Sequence, residues 1–318
     1  MTDMPSPSAP LKIGTRGSPL ALAQAYETRE RLMEAFDLPI DAFEIVVIKT
    51  TGDDRALIAR DIPLKEIGNK GLFTKEIEEA LLAGAIDIAV HSMKDMPTEQ
   101  PAGLLLDCYL PREDTRDAFI CPHADSIHDL PQGAVVGTSS LRRRAQLLNR
   151  RPDLQVVEFR GNLQTRLKKL DDGVAFATFL ACAGLNRMKI PAVPMHPIAT
   201  DDMLPAIAQG AIGIERRMDD ALTERLLAAL HHHDTGLRLA AERAFLARLD
   251  GSCETPIAGL AELHGDQMRL RGEILKTDGS VSHADEIHGP IKDGPALGRQ
   301  LAETLLAKAG ADFFDHLT

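Results

Sequence analysis

The sequence predicts an α/β protein built from two similar units, followed by a smaller α+β domain at the carboxyl end. Residues 11–109 alternate short apolar runs with helical segments, the pattern of a largely parallel sheet covered by helices. Residues 117–187 repeat the same strand–loop–helix order. From residue 256, three segments alternate apolar and polar residues in the manner of an antiparallel sheet, and a last helix follows.

The composition is that of an ordinary globular protein with two or three cores. The chain has 318 residues, of which 44% are hydrophobic and 26% are charged. Its net charge of −11 argues against nucleic acid or an anionic membrane as a partner. No apolar run approaches the roughly 20 residues of a spanning helix, and residues 1–10 lack the apolar core of a signal peptide. We therefore expect a cytoplasmic protein.

The first unit opens with a strand from Leu11 and a loop that contains Arg16. Ser18 suits the N-cap of the next helix, Pro19 suits its first position, and the helix is expected to end near Phe36. The predicted elements that follow are a strand over 43–48, a long loop over 50–69, a helix over 74–83 and a strand over 86–90.

The apolar strand over 86–90 overlaps the segment Ile88–Pro97. Polar residues follow the strand abruptly within this segment: His91, Ser92, Lys94 and Asp95. Open α/β sheets place their ligand sites just past the carboxyl ends of buried strands. Lys94 offers a cation for an anionic substrate, and Asp95 offers a carboxylate for a positively charged intermediate. The alternative interpretation is a turn that carries a solvated ion pair.

The second unit and the carboxyl-terminal domain continue this pattern. A strand over 104–109 and a charged turn lead into the second unit, and residues 206–215 return the chain to the first. The strands of the second unit are expected over 117–121, 134–137, 154–159 and 174–180. A helix is expected over 219–230. The last domain is then expected to contain helices over 236–250 and 295–308 and strands over 256–263, 268–275 and 280–287.

Residues 141–190 form a basic segment inside an acidic chain, with eleven Arg or Lys and four Asp or Glu, a balance of +7. Four of its arginines lie at predicted helix starts or just after strand ends, where they share one edge of the sheet: Arg142, Arg143, Arg160 and Arg187. Because guanidinium groups bind carboxylates in a bidentate manner, these arginines indicate a substrate with several carboxylates or phosphates. The alternative is a solvated basic face. The phosphate-loop and dinucleotide-binding glycine motifs are absent from the sequence, which argues against nucleotides.

The four cysteines follow no metal-binding spacing, and we predict no metal site. Three of them lie in apolar contexts and are expected to be buried: Cys108, Cys121 and Cys182. Cys253 differs, because it lies in a polar segment, residues 250–256, between a predicted helix and a predicted strand.

An ordered set of motifs between Leu11 and Pro256 resembles the porphobilinogen deaminase family. Each motif is weakly specific alone, whereas eight of them in register are highly specific. They are Gly14-Thr-Arg-Gly-Ser-Pro-Leu-Ala21, Lys70-Gly-Leu-Phe-Thr-Lys-Glu76, His91-Ser-Met-Lys-Asp95, Gly137-Thr-Ser-Ser-Leu-Arg-Arg143, Arg160-Gly-Asn162, Ala183-Gly-Leu185, Gln209-Gly-Ala-Ile-Gly-Ile-Glu215 and Gly251-Ser-Cys253.

The resemblance implies a transferase, a hydroxymethylbilane synthase, that joins four porphobilinogen molecules head to tail with release of ammonia in tetrapyrrole (haem) biosynthesis. It implies a covalent dipyrromethane cofactor on a thioether to Cys253 and a catalytic role for Asp95. It also implies residues that contact the cofactor or the substrate carboxylates: Arg16, Ser18, Gln24, Lys70, Lys94, Thr138, Ser139, Ser140, Arg142, Arg143, Arg160, Arg166 and Arg187.

The fold implied by the resemblance has two domains like the type II periplasmic binding proteins, around a cleft, plus a small α+β domain. We place domain 1 at 10–113 plus 205–230, domain 2 at 114–204 and domain 3, which carries Cys253, at 231–318. We expect a monomer. Two positions differ from the family pattern: Ser252 replaces the second Gly of Gly-Gly-Cys, and Lys65-Glu66 displaces an expected Lys by one position.

Two other functions are alternatives to the deaminase. A two-lobed anion-binding or sensor protein of the same fold would explain the cleft and the arginines but would leave Cys253 without a role. A hydrolase with a cysteine nucleophile and His91 or His264 as its base lacks a supporting local signature.

Overall fold

The computed structural model describes residues 4–51, 74–161, 163–189, 194–251, 255–310 and 313–314. These residues form two compact units. Unit 1 comprises the described residues within Met1–Leu57, Gly68–Glu113 and Ala211–Gly236. Unit 2 comprises those within Asp114–Gly210 and Leu237–Thr318. The division into three domains given above stays a prediction.

The strands and helices are numbered in chain order over the described residues. The strands are β1 (Leu11–Arg16), β2 (Phe43–Ile48), β3 (Ile88–Ser92), β4 (Leu104–Tyr109), β5 (Asp117–Ile120), β6 (Val135–Gly137), β7 (Gln155–Val157), β8 (Ala177–Ala181), β9 (Met195–Pro197), β10 (Ile212–Arg217), β11 (Ile257–His264), β12 (Gln267–Leu275) and β13 (Ser282–Pro290). The helices are α1 (Pro19–Phe36), α2 (Lys75–Leu82), α3 (Leu141–Arg150), α4 (Leu163–Asp171), α5 (Cys182–Met188), α6 (Ala221–Ala228), α7 (His233–Arg248) and α8 (Gly294–Ala309).

Unit 1 is built on a sheet with the strand order β2-β1-β3-β10-β4. Strand β1 is parallel to β2 and β3, whereas β10 is antiparallel to β3 and β4. Helix α1 packs on this sheet through Ala25 and Leu32, which join the apolar core formed by strand residues such as Ile13, Ile88 and Ile214. The expected cap of α1 is confirmed, because Ser18 accepts a hydrogen bond from the Ala21 amide at 3.2 Å and Pro19 begins the helix.

Unit 2 contains a second sheet with the order β7-β6-β8-β5-β9. Strand β6 is parallel to β7 and β8, and β5 is antiparallel to β8 and β9. The pattern therefore repeats that of unit 1, with β6 in the place of β1 and β5 in the place of β10. Phe119 and Phe179, both fully buried, are part of its core.

The third sheet is the antiparallel meander β11-β12-β13, and it also belongs to unit 2. Helices α7 and α8 approach each other closely beside it. Gly298 permits that approach, because a Cβ at this position would collide with the carbonyl oxygen of Ala241. The predicted fold class, two α/β units with a smaller α+β part, is confirmed.

The alternation of strands and helices in the sequence suggested mainly parallel sheets, and the structure differs at β5 and β10. A parallel connection requires a crossover, which is usually a helix. Neither strand is directly preceded by a helix in the described residues, since β5 follows the irregular segment 110–116 and β10 follows the turn region 204–211. Both strands run antiparallel to their neighbours.

Most predicted elements are present, with shifted ends. Strand β8 begins at Ala177 rather than 174, and α7 begins at His233 rather than 236. Strand β9 was not predicted, because three residues that end in Pro197 carry no alternating pattern. Cys108, Cys121 and Cys182 are buried as expected. None of the helices among the described residues has the length and apolar character to cross a membrane.

Candidate active site

Unit 1 gathers several of the predicted site residues at one edge of its sheet. Strands β1 and β3 are parallel neighbours, with Gly14 paired to Ala89. Arg16 is the last residue of β1, and Ser92 is the last residue of β3, so both lie at the carboxyl edge of the sheet. This is the edge where open α/β sheets bind ligands.

A reciprocal pair of hydrogen bonds joins helix α1 to this edge. The Gln24 amide donates to Ser92 Oγ at 2.9 Å, and the Ser92 hydroxyl is placed to donate to Gln24 Oε1 at 3.0 Å. Gln24 is buried. The pair fixes the end of β3 against α1, so Gln24 supports the segment that contains Asp95.

Lys94 and Asp95 lie in a single 3₁₀ turn, Met93–Asp95, directly after β3. The turn is anchored at both ends by buried methionines, Met93 and Met96. The Met93 amide also donates to the Ala211 carbonyl at 3.0 Å, next to β10. With its flanks held, the turn presents Lys94 and Asp95 as half-buried side chains, which suits groups that must meet a ligand.

Behind this turn lies a buried cluster of titratable groups. His91 Nε2 is 3.1 Å from Glu215 Oε2, and both residues are buried. Burial raises the pKa of the neighbouring Glu78, and the negative charge of Glu215 raises it further. The contact of His91 with Glu215 joins β3 to β10, and Glu78 of α2 lies near enough to both to be affected by their charge.

In unit 2 the start of α3 is held by three hydroxyl residues that follow β6. Ser140 is the N-cap, and its Oγ accepts from the Arg143 amide at 3.4 Å. Thr138 Oγ1 accepts from the Ser140 amide at 3.2 Å. Ser139 Oγ accepts from the Phe159 amide at 3.1 Å, which joins this loop to the end of β7. The hydroxyl residues therefore order the loop from which the arginines of α3 project.

Arg142 and Arg143 are buried and share one carboxylate, Asp117, at the start of β5. Arg142 Nη1 donates to Asp117 Oδ2 at 2.7 Å, and Arg143 donates to Oδ1 from Nε at 3.0 Å and from Nη2 at 2.7 Å. Burial alone would raise the pKa of Asp117, but the two guanidinium groups outweigh it and hold the pKa well below its usual range. Arg142 Nε is buried and has no hydrogen-bond partner among the described residues.

Arg160 and Arg166 complete a cluster of positive charge. Gly161, between them, has φ of +115°, a conformation that glycine adopts without strain, and Arg166 Nε donates to its carbonyl at 3.0 Å. Burial lowers the pKa of Arg166 to about 10, and repulsion from Arg143 and Arg160 contributes. An anionic ligand would relieve this repulsion between guanidinium groups and would be stabilised here.

Arg187 lies near the end of α5, where its Nη2 donates to the Gly210 carbonyl at 3.1 Å. The structure thus brings the unit 2 residues around the carboxyl ends of β6, β7 and β8. Their number and fork geometry suit several carboxylates.

Several sequence-predicted residues lie outside the described part of the chain. They include Cys253 with its neighbour Ser252, Lys70, and the pair Lys65-Glu66. Their proposed roles therefore rest on the sequence.

Asp117 is a residue of this cluster that was not predicted from the sequence. Its signal was present, since an acidic residue begins the otherwise apolar run Asp117–Ile120. All four residues of that strand are buried. A carboxylate in such a strand needs a buried cation, and the nearby arginine-rich helix supplies two.

Comparisons with known proteins agree with the motifs. Residues 11–225 match the family model described as "Porphobilinogen deaminase, dipyromethane cofactor binding domain", and residues 237–307 match "Porphobilinogen deaminase, C-terminal domain". A porphobilinogen deaminase of Paracoccus denitrificans (strain Pd 1222) is 68% identical over 315 residues, which cover 99% of each chain.

The similar solved structures have low sequence identity to this chain. A putative methionine-binding lipoprotein of Bacillus subtilis is 14% identical with a TM-score of 0.41, covering 72% of this chain and 93% of that chain. The periplasmic aliphatic sulphonate binding protein of Escherichia coli is 13% identical with a TM-score of 0.39, covering 74% of this chain and 69% of that chain.

Proposed function

The chain belongs to the porphobilinogen deaminase family, and from this membership we propose which of its residues perform the reaction. It is a transferase, a hydroxymethylbilane synthase of tetrapyrrole biosynthesis, that condenses four porphobilinogen molecules head to tail and releases ammonia. It carries a dipyrromethane cofactor. The observation that carries our assignment is the half-buried Asp95 in an anchored turn at the ligand-binding edge of the first sheet.

Asp95 is proposed to stabilise the positive charge that develops on the substrate. Loss of ammonia from an aminomethylpyrrole leaves a cation on the ring, which a fixed carboxylate lowers in energy. The same carboxylate is suited to accept and return protons at the pyrrole nitrogen and the leaving amine. Lys94, next to it in the turn, is proposed to bind a substrate carboxylate, as is Arg16 at the end of β1.

The arginine cluster of unit 2 is proposed to bind the acetate and propionate groups of the pyrroles. Arg160, Arg166 and Arg187 are proposed to contact these carboxylates directly. Arg142 and Arg143 donate several of their N–H groups to Asp117. We therefore propose that they fix the charge and shape of the cluster and donate their remaining N–H groups to the pyrrole carboxylates. Thr138, Ser139 and Ser140 are proposed to order the loop and to contribute hydroxyl groups.

The residues of unit 2 fit a group with several carboxylates. Two observations support this fit. Burial and repulsion from Arg143 and Arg160 lower the pKa of Arg166, and the buried Arg142 Nε has no hydrogen-bond partner among the described residues. When bound, the dipyrromethane supplies the pyrrole position to which the first substrate is joined. Cys253 is proposed to hold it by a thioether, as the family resemblance implies.

Other properties of the chain follow as proposals from the family and the composition. We propose a cytoplasmic monomer that binds neither nucleic acid nor membrane, with domain 1 at 10–113 plus 205–230, domain 2 at 114–204 and domain 3 at 231–318. A two-lobed binding or sensor protein without catalysis is not favoured, because both family models that match describe porphobilinogen deaminase domains.

Replacement of Asp95 tests the assignment. Asp95→Asn keeps the size of the side chain but removes its charge, so turnover should fall by about 10²–10⁴, the usual scale for a positioned acid–base or electrostatic group. The measurement is ammonia release in a single turnover with porphobilinogen, on protein whose mass shows an intact cofactor.

Asp95→Glu is the matched control for charge. It keeps the carboxylate but moves it by one methylene, so it should retain more activity than Asp95→Asn and should accumulate intermediates. If Asp95→Asn releases ammonia as fast as the unaltered protein, Asp95 has a structural role and the proposed mechanism is wrong.

A further inference from the structure

The segment 204–210 interacts with three arginines of the proposed carboxylate-binding cluster. Two of its backbone carbonyls accept hydrogen bonds from arginines, and one of its side chains donates to the carboxylate that two arginines share. The Leu204 carbonyl accepts from Arg142 Nη1 at 2.8 Å, and the Gly210 carbonyl accepts from Arg187 Nη2 at 3.1 Å. These contacts join the two ends of one short segment to two arginines that come from different helices.

Gln209, in the middle of this segment, supports the carboxylate that Arg142 and Arg143 share. Its Nε2 donates to Asp117 Oδ1 at 3.1 Å and to the Thr115 carbonyl at 2.8 Å. Gln209 is only 1% exposed, so the position of its amide is fixed by these contacts rather than by solvent. The segment therefore influences Arg143 through Asp117.

The segment is itself held by Glu242 of α7. Glu242 is fully buried, and its Oε2 accepts from the Ala208 amide at 2.7 Å while its Oε1 accepts from the Ala261 amide of β11 at 2.9 Å. Ala208 has φ of +60°, a left-handed conformation that costs energy for a residue with a Cβ. A charged acceptor on the Ala208 amide stabilises this conformation, which directs the next residue, Gln209, toward Asp117.

Further contacts fix the segment on the third sheet. The Gly259 amide of β11 donates to the Pro205 carbonyl at 3.1 Å. Leu204 packs with Ala258 and Leu260 in a small apolar cluster. The segment is thus stabilised by β11 and α7 on one side and holds the arginine cluster on the other.

We propose that Glu242 and Gln209 are positioning residues for the carboxylate-binding arginines, acting through segment 204–210 and Asp117. Neither residue is assigned a contact with substrate or with the cofactor. Their effect is to hold the guanidinium groups in the geometry that binds the substrate carboxylates. The inference rests on the proposed function of the arginine cluster, and it adds a role for the helix α7, which leads toward the segment that carries Cys253.

The test compares Glu242→Gln and Gln209→Met with the unaltered holoenzyme, each with cofactor content checked by intact mass. In Glu242→Gln, one of the two amides that the carboxylate binds must face an NH₂ group, and in Gln209→Met the donor to Asp117 is lost. We expect KM for porphobilinogen to rise about tenfold, the scale of one weakened charge-assisted hydrogen bond, with kcat changed less than threefold. Glu242→Asp, which keeps the charge, should recover part of the loss.

A second readout is independent of turnover. Hydrogen exchange at the arginine Nε–H groups, followed by nuclear magnetic resonance on arginine-labelled protein, should be slow for Arg143, whose Nε donates to Asp117. It should accelerate at least tenfold in Gln209→Met and Glu242→Gln. This readout also decides the matter if either variant assembles too little cofactor for kinetics.

Leu301→Ala is the matched control. Leu301 is buried on α8 beside the third sheet and takes part in none of the above contacts of segment 204–210. It should lower the thermal midpoint without changing KM or the Arg143 exchange rate. If Glu242→Gln and Gln209→Met behave in the same way as Leu301→Ala, the inference is overturned. If the unaltered protein makes no bilane, the proposed function fails, and the exchange measurement alone decides the inference.

Discussion

The arginines of the site divide into two groups by what their guanidinium groups contact. Arg142 and Arg143 make short hydrogen bonds to the buried Asp117, so we expect them to stabilise the folded state as well as the proposed site. Arg166 instead donates to the Gly161 carbonyl, and its pKa is lowered by burial and by repulsion from Arg143 and Arg160. Removal of an arginine should therefore have a different effect in the two groups.

Arg160→Leu and Arg142→Leu test this division at the scale of single residues. Arg160→Leu should weaken cofactor assembly and chain elongation by about ten- to a hundredfold, the effect of about 1.5–3 kcal/mol from one charged hydrogen bond. Arg142→Leu should in addition lower the free energy of unfolding by about 3–5 kcal/mol, because it breaks a buried ion pair. Assembly kinetics and urea unfolding of both variants measure the two effects. Equal losses of stability in the two variants would contradict the division of the arginines. Unchanged cofactor assembly in Arg160→Leu would show that Arg160 is not part of the binding site.

At the scale of elements, helix α2 contains the buried Glu78, which lies near Glu215 of β10. The pKa of Glu78 is raised by burial and by Glu215, so its ionised form is less favourable in the folded chain than in the unfolded chain. For such an acid the unfolded state binds fewer protons, so stability falls as the pH rises above the unfolded pKa, which is near 4.5. The cost is complete once the pH exceeds the folded pKa.

Glu78→Gln removes this cost and should raise the thermal midpoint at pH 8. The difference from the unaltered protein should shrink as the pH falls and should vanish near pH 4, where Glu78 is protonated in both states. Glu79→Gln is the matched control, since Glu79 lies on the same helix with an exposed side chain and a long, 4.0 Å, pair with Lys75. A Glu78→Gln protein that is less stable at pH 8 would contradict the sign of the argument.

The elements were largely predictable because their signals are local. Apolar runs, the Ser18-Pro19 start of α1 and the alternation in β11 to β13 arise from neighbouring residues. The ends of β7 and β8, the short strand β9 and the antiparallel direction of β5 and β10 depend on partners that are distant in the sequence. No local sequence pattern indicates which distant strand each of these strands pairs with.

The same distinction explains which parts of the site could be predicted. Asp95 and the arginines follow strand ends, and that position is visible in the sequence. The pairing of Arg142 and Arg143 with Asp117 joins residues about 25 positions apart, and the contact of Glu242 with Ala208 joins residues 34 positions apart. Such contacts could be identified only from the structure of the folded chain.

At the scale of the whole molecule, the two α/β sheets share one strand order but carry different chemistry at their carboxyl edges. The sheet of unit 1 ends in the turn with Lys94 and Asp95, whereas the corresponding edge in unit 2 carries the arginine cluster. We therefore propose that the repeated fold supplies a catalytic carboxylate from unit 1 and a set of carboxylate-binding cations from unit 2. We propose that the covalent cofactor is attached to Cys253.

Two of the other cysteines, Cys108 and Cys182, are poor candidates for the attachment. Burial raises the pKa of the Cys108 thiol to about 12 and that of the Cys182 thiol to about 11. Because the thiolate is the nucleophilic form, neither thiol reacts readily at neutral pH. Cys182→Ala is therefore the natural control for a substitution of Cys253.

The most direct test of the account is the intact mass of the purified protein under denaturing conditions, measured beside Cys253→Ser and Cys182→Ala. The unaltered chain and Cys182→Ala should each exceed their sequence mass by two pyrrole units. Cys253→Ser should be folded, should have its bare sequence mass and should make almost no bilane. An unaltered chain at its bare sequence mass, or a Cys253→Ser chain that still carries the pyrrole mass, would contradict the account.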